Sequence, residues 1–131
     1  MLRLPASDIE ILKERSEDYL EEAERLVEEE KWDLSLVAIH QHCELLLKYI
    51  SLKSNGTYPR THSLRDLLKL LVKHEASLKS LIEEENNILR LARIEEAYIS
   101  ARYFPVRSGK EDVIPLLKFV KEVFDEYLSR L

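Results

Sequence analysis

His40, His42, Cys43 and Glu44 put two imidazoles, a thiol and a carboxylate within five positions, and these are the side chains that hold transition metals. On a helix His40 could share a face with Cys43 or Glu44. No second ligand pair accompanies them, however, and no His in the chain has a Glu three residues before it, the spacing that aims ligands inward in di-metal helical bundles. The assignment that needs no ion puts Cys43 in the core and His40 in a hydrogen bond with Glu44 one turn away. No metal and no cofactor is therefore expected. His62, Ser63 and Asp66 contain the residue types of a nucleophilic triad, but a helix cap already accounts for Ser63 and Asp66. With only two Gly in the chain, there is no glycine-rich loop to cradle a phosphate, which removes the P-loop and dinucleotide-binding classes.

The run Arg102, Tyr103, Phe104, Pro105, Val106, Arg107 sets two guanidiniums and two aromatic rings around a helix end and the loop after it. Such a group can hold a phosphate and stack a base. The same residues also have a structural use: Arg102 offsets the negative end of the helix while Tyr103 and Phe104 close a bundle.

Caps and apolar periods define the elements that carry these residues. Ser7 and Glu10 form a capping box, and a stripe through Ile9, Leu12, Ser16, Tyr19, Ala23, Leu26 and Val27 predicts a first helix to about residue 30. From Trp32 to about Ser54 two apolar stripes run side by side, through Leu36, Ile39, Cys43, Leu46 and Ile50 and through Leu34, Ala38, Leu45, Tyr49 and Leu52, so this helix is expected at the centre. Asn55 and Gly56 end it, and Pro59 blocks its resumption. Ser63 opens a third helix to about His74, and residues 75–85 allow one short turn. A fourth pattern, Ile88 to Arg102, must stop before Pro105. Ser108 and Glu111 are expected to cap a last helix whose stripe is Val113, Leu117, Val120, Phe124, Tyr127 and Leu131, with Pro115 in its first turn. The expected fold is all-α, an up-and-down bundle of four to five helices forming a single domain over residues 1–131.

Three of these segments carry a family resemblance. Gln41, Glu44, Leu47 and Lys48 are similar to the Gln-x-x-Glu-x-x-Leu-Lys run of HEPN domains. Thr61, His62, Ser63, Leu64, Arg65, Asp66 and Leu67 resemble the family's His-Ser/Asp-Leu helix start, and Tyr98, Arg102, Tyr103 and Pro105 its Tyr-x-x-x-Arg-Tyr-Pro run. Phe104, between Tyr103 and Pro105, departs from that pattern and alters the lip of any pocket there. The resemblance implies helical domains that dimerise and serve as accessory partners of minimal nucleotidyltransferases in toxin–antitoxin-like pairs, or else cleave RNA. The ribonuclease branch carries Arg, four to six residues, then His, which sets a cation and an acid–base group at one site. No Arg stands at those distances before His40, His42, His62 or His74, and the positions after Arg102 hold Arg107, Ser108 and Gly109. The expectation is a non-catalytic member that binds a nucleotide or an RNA end. Its ligand site would combine Arg60, His62 and Arg65 at the start of the third helix with Arg102, Tyr103 and Arg107. The alternatives are a divergent ribonuclease using Arg102, Arg107 and His62, and a structural interaction module.

Composition sets the outer limits. One Cys permits no internal disulfide, and neither an export signal nor a membrane span is visible, so a cytoplasmic protein is expected. The Glu and Lys content with a single Gln also fits a heat-adapted source. Residues 1–30 hold 11 acids and 4 bases, residues 31–79 hold 4 acids and 8 bases, and residues 80–131 hold 10 acids and 8 bases. Any electropositive zone must therefore be built around the middle of the chain. Surplus apolar surface on the central and last helices points to a twofold homodimer.

Overall fold

The computed structural model describes residues 5–131, including every side chain among them except those of Ala6 and Ser7. Seven α-helices follow in order: α1 (Ala6–Glu28), α2 (Trp32–Asn55), α3 (Leu64–Val72), α4 (Ser80–Glu83), α5 (Glu85–Tyr103), α6 (Lys110–Phe119) and α7 (Asp125–Ser129). The described residues contain no β-strand, and the chain is an all-α helical bundle.

The centre is α2, which packs against α1, α3, α5 and α6, as its two apolar stripes require. Leu36, Ile39, Cys43 and Leu47 are almost fully buried along it. Its close approach to α1 depends on small residues. Ser16, Ala23 and Ser35 are completely buried, and Ser35 Oγ donates to the Ala23 carbonyl at 3.1 Å. Tyr19, expected on the buried stripe of α1, is instead 37% exposed. Ser7 is not the N-cap: α1 starts at Ala6, two residues before the Asp8 start that a Ser7 cap requires, and Pro5, extended and with fixed φ, stands at the N-cap.

The chain punctuation acts where the residue types require it. Gly56 ends α2 with φ 77° and donates its N–H to the Leu52 carbonyl at 2.8 Å. Ser63 caps α3 by accepting the Asp66 N–H at 3.2 Å. Phe104 is extended ahead of Pro105, so α5 stops at Tyr103. The segment expected to hold one short turn contains a 3₁₀ turn, Ala76–Leu78, and then α4, which bury Leu78 and Leu81 against the bundle.

The last helix departs from expectation in three ways. Its N-cap is Gly109, not Ser108: the Asp112 carboxylate accepts the Gly109 N–H at 2.8 Å, while the Ser108 N–H is drawn to Asp33 Oδ1 at 2.9 Å. Pro115 lies in the second turn of α6, and the carbonyl it leaves without a donor belongs to exposed Glu111. A π-helical turn, Val120–Phe124, joins α6 to α7. It adds one residue to the turn and rotates everything after it, so Leu128 is buried where Tyr127 was expected and Leu131 is exposed. That rotation also aims Asp125 at the bundle interior.

Candidate functional site: a buried carboxylate and an exposed guanidinium

The motif residues of α2, the loop before α3 and α5 meet in one connected set of contacts. Gln41, Glu44 and Lys48 follow at i, i+3 and i+7, so they share the face of α2 that looks toward α5 and the loop. Glu44 is only 3% exposed. Its carboxylate accepts from Lys48 Nζ at 2.9 Å and lies 3.1 Å from His62 Nδ1. The Lys48 ammonium also sits 5.1 Å from the centre of the buried Tyr58 ring. The His62 side chain is 78% exposed, so one ring nitrogen is held by the carboxylate and the other remains open to solvent.

His40 does not make the expected hydrogen bond with Glu44. Its Nδ1 stands 3.8 Å from Glu44 Oε1, too far for one, and is buried without a partner. The imidazole instead stacks on Tyr98, with ring centres 3.8 Å apart and planes at 9°. Burial lowers its pKa to about 4, an effect that the Glu44 charge opposes and the charges of His62 and Arg102 reinforce. The Tyr98 hydroxyl accepts from Arg102 Nη1 at 2.6 Å and from Gln41 Nε2 at 3.2 Å. Burial raises the pKa of that phenol, with Arg102 acting in the opposite direction. The Arg102 guanidinium lies 4.7 Å from the Tyr98 ring centre and 4.8 Å from that of Tyr103. It is exposed and makes no ion pair among the described residues.

His62, Glu44, His40, Tyr98 and Arg102 thus form a continuous chain of contacts, and Tyr103 adds an exposed ring at its end. Of the other three candidates, Arg65 and Arg107 stand apart from Arg102. Arg65 gives its backbone N–H to Glu95 Oε1 at 3.1 Å, about two turns of α5 away from Arg102. The same oxygen accepts from Ser63 Oγ at 3.4 Å, so a carboxylate already occupies the start of α3 where an anion was expected. Arg60 is exposed in the loop and has no ion pair among the described residues. Arg107 lines a groove with Arg90, Arg93, Ala97 and Ser100, on the side of α5 opposite Tyr98 and Arg102. Glu95 was not expected at the site. Its position three before Tyr98 and seven before Arg102, on the same stripe, was the available signal.

A second polar cluster, Ser16, His42 and Asp125, has the composition of a triad but not its geometry. His42 Nε2 lies 2.7 Å from Asp125 Oδ1, and Nδ1 lies 2.7 Å from the Ser16 carbonyl and 3.0 Å from Ser16 Oγ. Ser16 is fully buried and its Oγ donates to the His42 carbonyl at 3.0 Å, so its proton is directed at the backbone and not at the imidazole. The cluster ties α1, α2 and α7 together. No group of three or more His, Cys, Asp or Glu among the described residues is arranged to hold a metal ion. No described helix is long and apolar enough to cross a membrane.

The family model described as the HEPN domain matches residues 9–131, and the chain belongs to that family. No curated protein and no solved structure matches it.

Proposed function

We propose that this HEPN protein is a non-catalytic binding module that takes the phosphate of a nucleotide or of an RNA end at Arg102, with Tyr103 as a stacking ring and His62 at the rim. The observation that carries this is the state of Arg102. Its guanidinium is exposed and without an ion pair among the described residues, yet it is fixed by the Tyr98 hydroxyl and held over two rings. A pre-positioned fork of donors with uncompensated charge matches a phosphate and loses little freedom on binding one. Proposed partners are a second copy of the chain, forming a twofold homodimer, and a minimal nucleotidyltransferase in a toxin–antitoxin-like pair. Exposed Ile99, Tyr103, Phe104 and Val106 next to Arg102 provide apolar surface for such contacts. Light scattering at micromolar concentration reads the dimer directly.

One observation favours the ribonuclease reading: His62 is oriented by a buried carboxylate and keeps one nitrogen open, which is how a general base is held. What it lacks is Arg107, which the fold places on the far side of α5. Purified protein incubated with RNA, with and without divalent metal, is expected to leave the RNA intact. Cleavage abolished by both His62→Ala and Arg102→Ala would replace the binding module with a divergent ribonuclease.

A further inference from the structure

Helix α5 turns its core residues one way and leaves the opposite face without a partner. Asn87, Leu91 and Ile94 are buried, and Tyr98 is part-buried on the same side. Leu89, Ala92, Glu96, Ile99 and Tyr103 are all exposed, and their alternating spacing of three and four residues lays them in one seam along the back of the helix. Leu89 and Ile99 are 55% and 49% exposed. Neighbouring elements stop short of this face. On one side a cleft lined by Ile88, Ala92 and Glu95 separates it from α3 and α4, and on the other a groove lined by Arg93, Glu96 and Ser100 separates it from α6. The helix thus stands as a ridge. Two opposite charges belong to that ridge, Arg93 and Glu96, and neither makes an ion pair among the described residues.

We infer that this face of α5 pairs with the same face of a second copy of the chain, antiparallel about a twofold axis at the level of Ile94; the inference rests on the homodimer proposed above and names its surface. Charge chooses the register. Parallel pairing, or antiparallel pairing centred on Glu96, would set Glu96 against the partner's Glu96. Centred at Ile94, the pair sets Leu89 level with the partner's Ile99 and Ala92 level with the partner's Glu96, and symmetry makes each contact twice. Arg93 then stands one residue, about 1.5 Å along the axis, from the level of the partner's Glu96. Two apolar layers and two unlike charge pairs flank the axis, and the small Ala92 side chain leaves room for the helices to approach. Arg102 lies about 100° round the helix from Tyr103 and off the seam, so the face assigned to a nucleotide stays open.

The test is sedimentation equilibrium of the whole chain at low salt, which reads the monomer–dimer constant of the wild type and of charge and seam variants. The wild type is expected to be dimeric at micromolar concentration. Ile99→Glu should be monomeric there, since it sets a carboxylate against the partner's Leu89. Arg93→Glu and Glu96→Arg should each weaken the dimer by about tenfold, because each turns two unlike pairs into two like ones. Combined, the two reversals restore unlike charges across the axis, and the double variant should associate to within about threefold of the wild type. Damage to the fold cannot produce that rescue. A wild type that stays monomeric would overturn the homodimer itself and this surface with it. A dimer that Ile99→Glu leaves intact, or a double variant no tighter than the single ones, would overturn the α5 pairing while the homodimer stands.

Discussion

Glu44→Ala is expected to destabilise the protein by about 3 kcal/mol or more, the cost of leaving one partner of a buried ion pair without the other. The side chains of Glu44 and Lys48 are 5% and 11% exposed, so solvent screens their contact little. Removing the carboxylate leaves the Lys48 ammonium between a cavity and the Tyr58 ring, and deprives His62 of the group that orients it. Glu44→Gln should cost less, since an amide oxygen still accepts from Lys48 and the volume is kept. Urea denaturation of the two variants measures the difference through the midpoint at constant slope. A loss below about 1 kcal/mol for Glu44→Ala would mean that water already satisfies the carboxylate, as it does for surface pairs.

Acid should act on the same cluster through His40. Its pKa is about 4 in the folded chain against an ordinary 6.5, so between those values the unfolded chain binds the extra proton. Stability is therefore fully present above pH 6.5 and is lost as the pH falls toward about 4, amounting to about 3 kcal/mol for a shift of this size. The groups facing the imidazole are Glu44, His62, Tyr98 and Arg102, with burial the dominant cause of the shift. His40→Phe keeps a ring against Tyr98 and removes the titrating group. Unfolding free energy measured in urea from pH 7 to 4.5 should then fall less steeply in the variant than in the wild type. Identical slopes would show that His40 takes up its proton without penalty.

What was legible in the chain was local or periodic. Gly56, Ser63 and Pro105 act on their own backbone neighbours, and each ends or starts a helix where its chemistry requires. The paired stripes of α2 likewise implied burial on more than one side, and Glu44, Lys48, Tyr98 and Arg102 could be picked out as motif members. Rotation between helices was not legible. Arg102 and Arg107 are five residues apart in sequence, but α5 ends between them, and the loop direction set by Pro105 and by the Ser108–Asp33 bond carries Arg107 to the opposite side. The π-helical turn has no local composition to announce it. It becomes necessary only when His42, Asp125 and Leu128 have to face inward together. The approach of His62 to the Glu44 carboxylate was likewise decided by a loop arriving from elsewhere in the chain.

The proposed function turns on Arg102, and titration with nucleoside mono- and triphosphates at low salt tests it most directly. The wild type is expected to bind with an affinity that falls as salt rises, and Arg102→Ala to bind at least about tenfold more weakly, for loss of a charge-assisted contact of about 1.5 kcal/mol or more. Arg102 is exposed, so the substitution should cost only the Tyr98 hydrogen bond and the ring contacts, about 1–2 kcal/mol, and an unfolding curve of the variant shows that it is still folded where binding is read. Binding that survives Arg102→Ala undiminished, or no binding of any nucleotide at millimolar concentration, would contradict the assignment of this face.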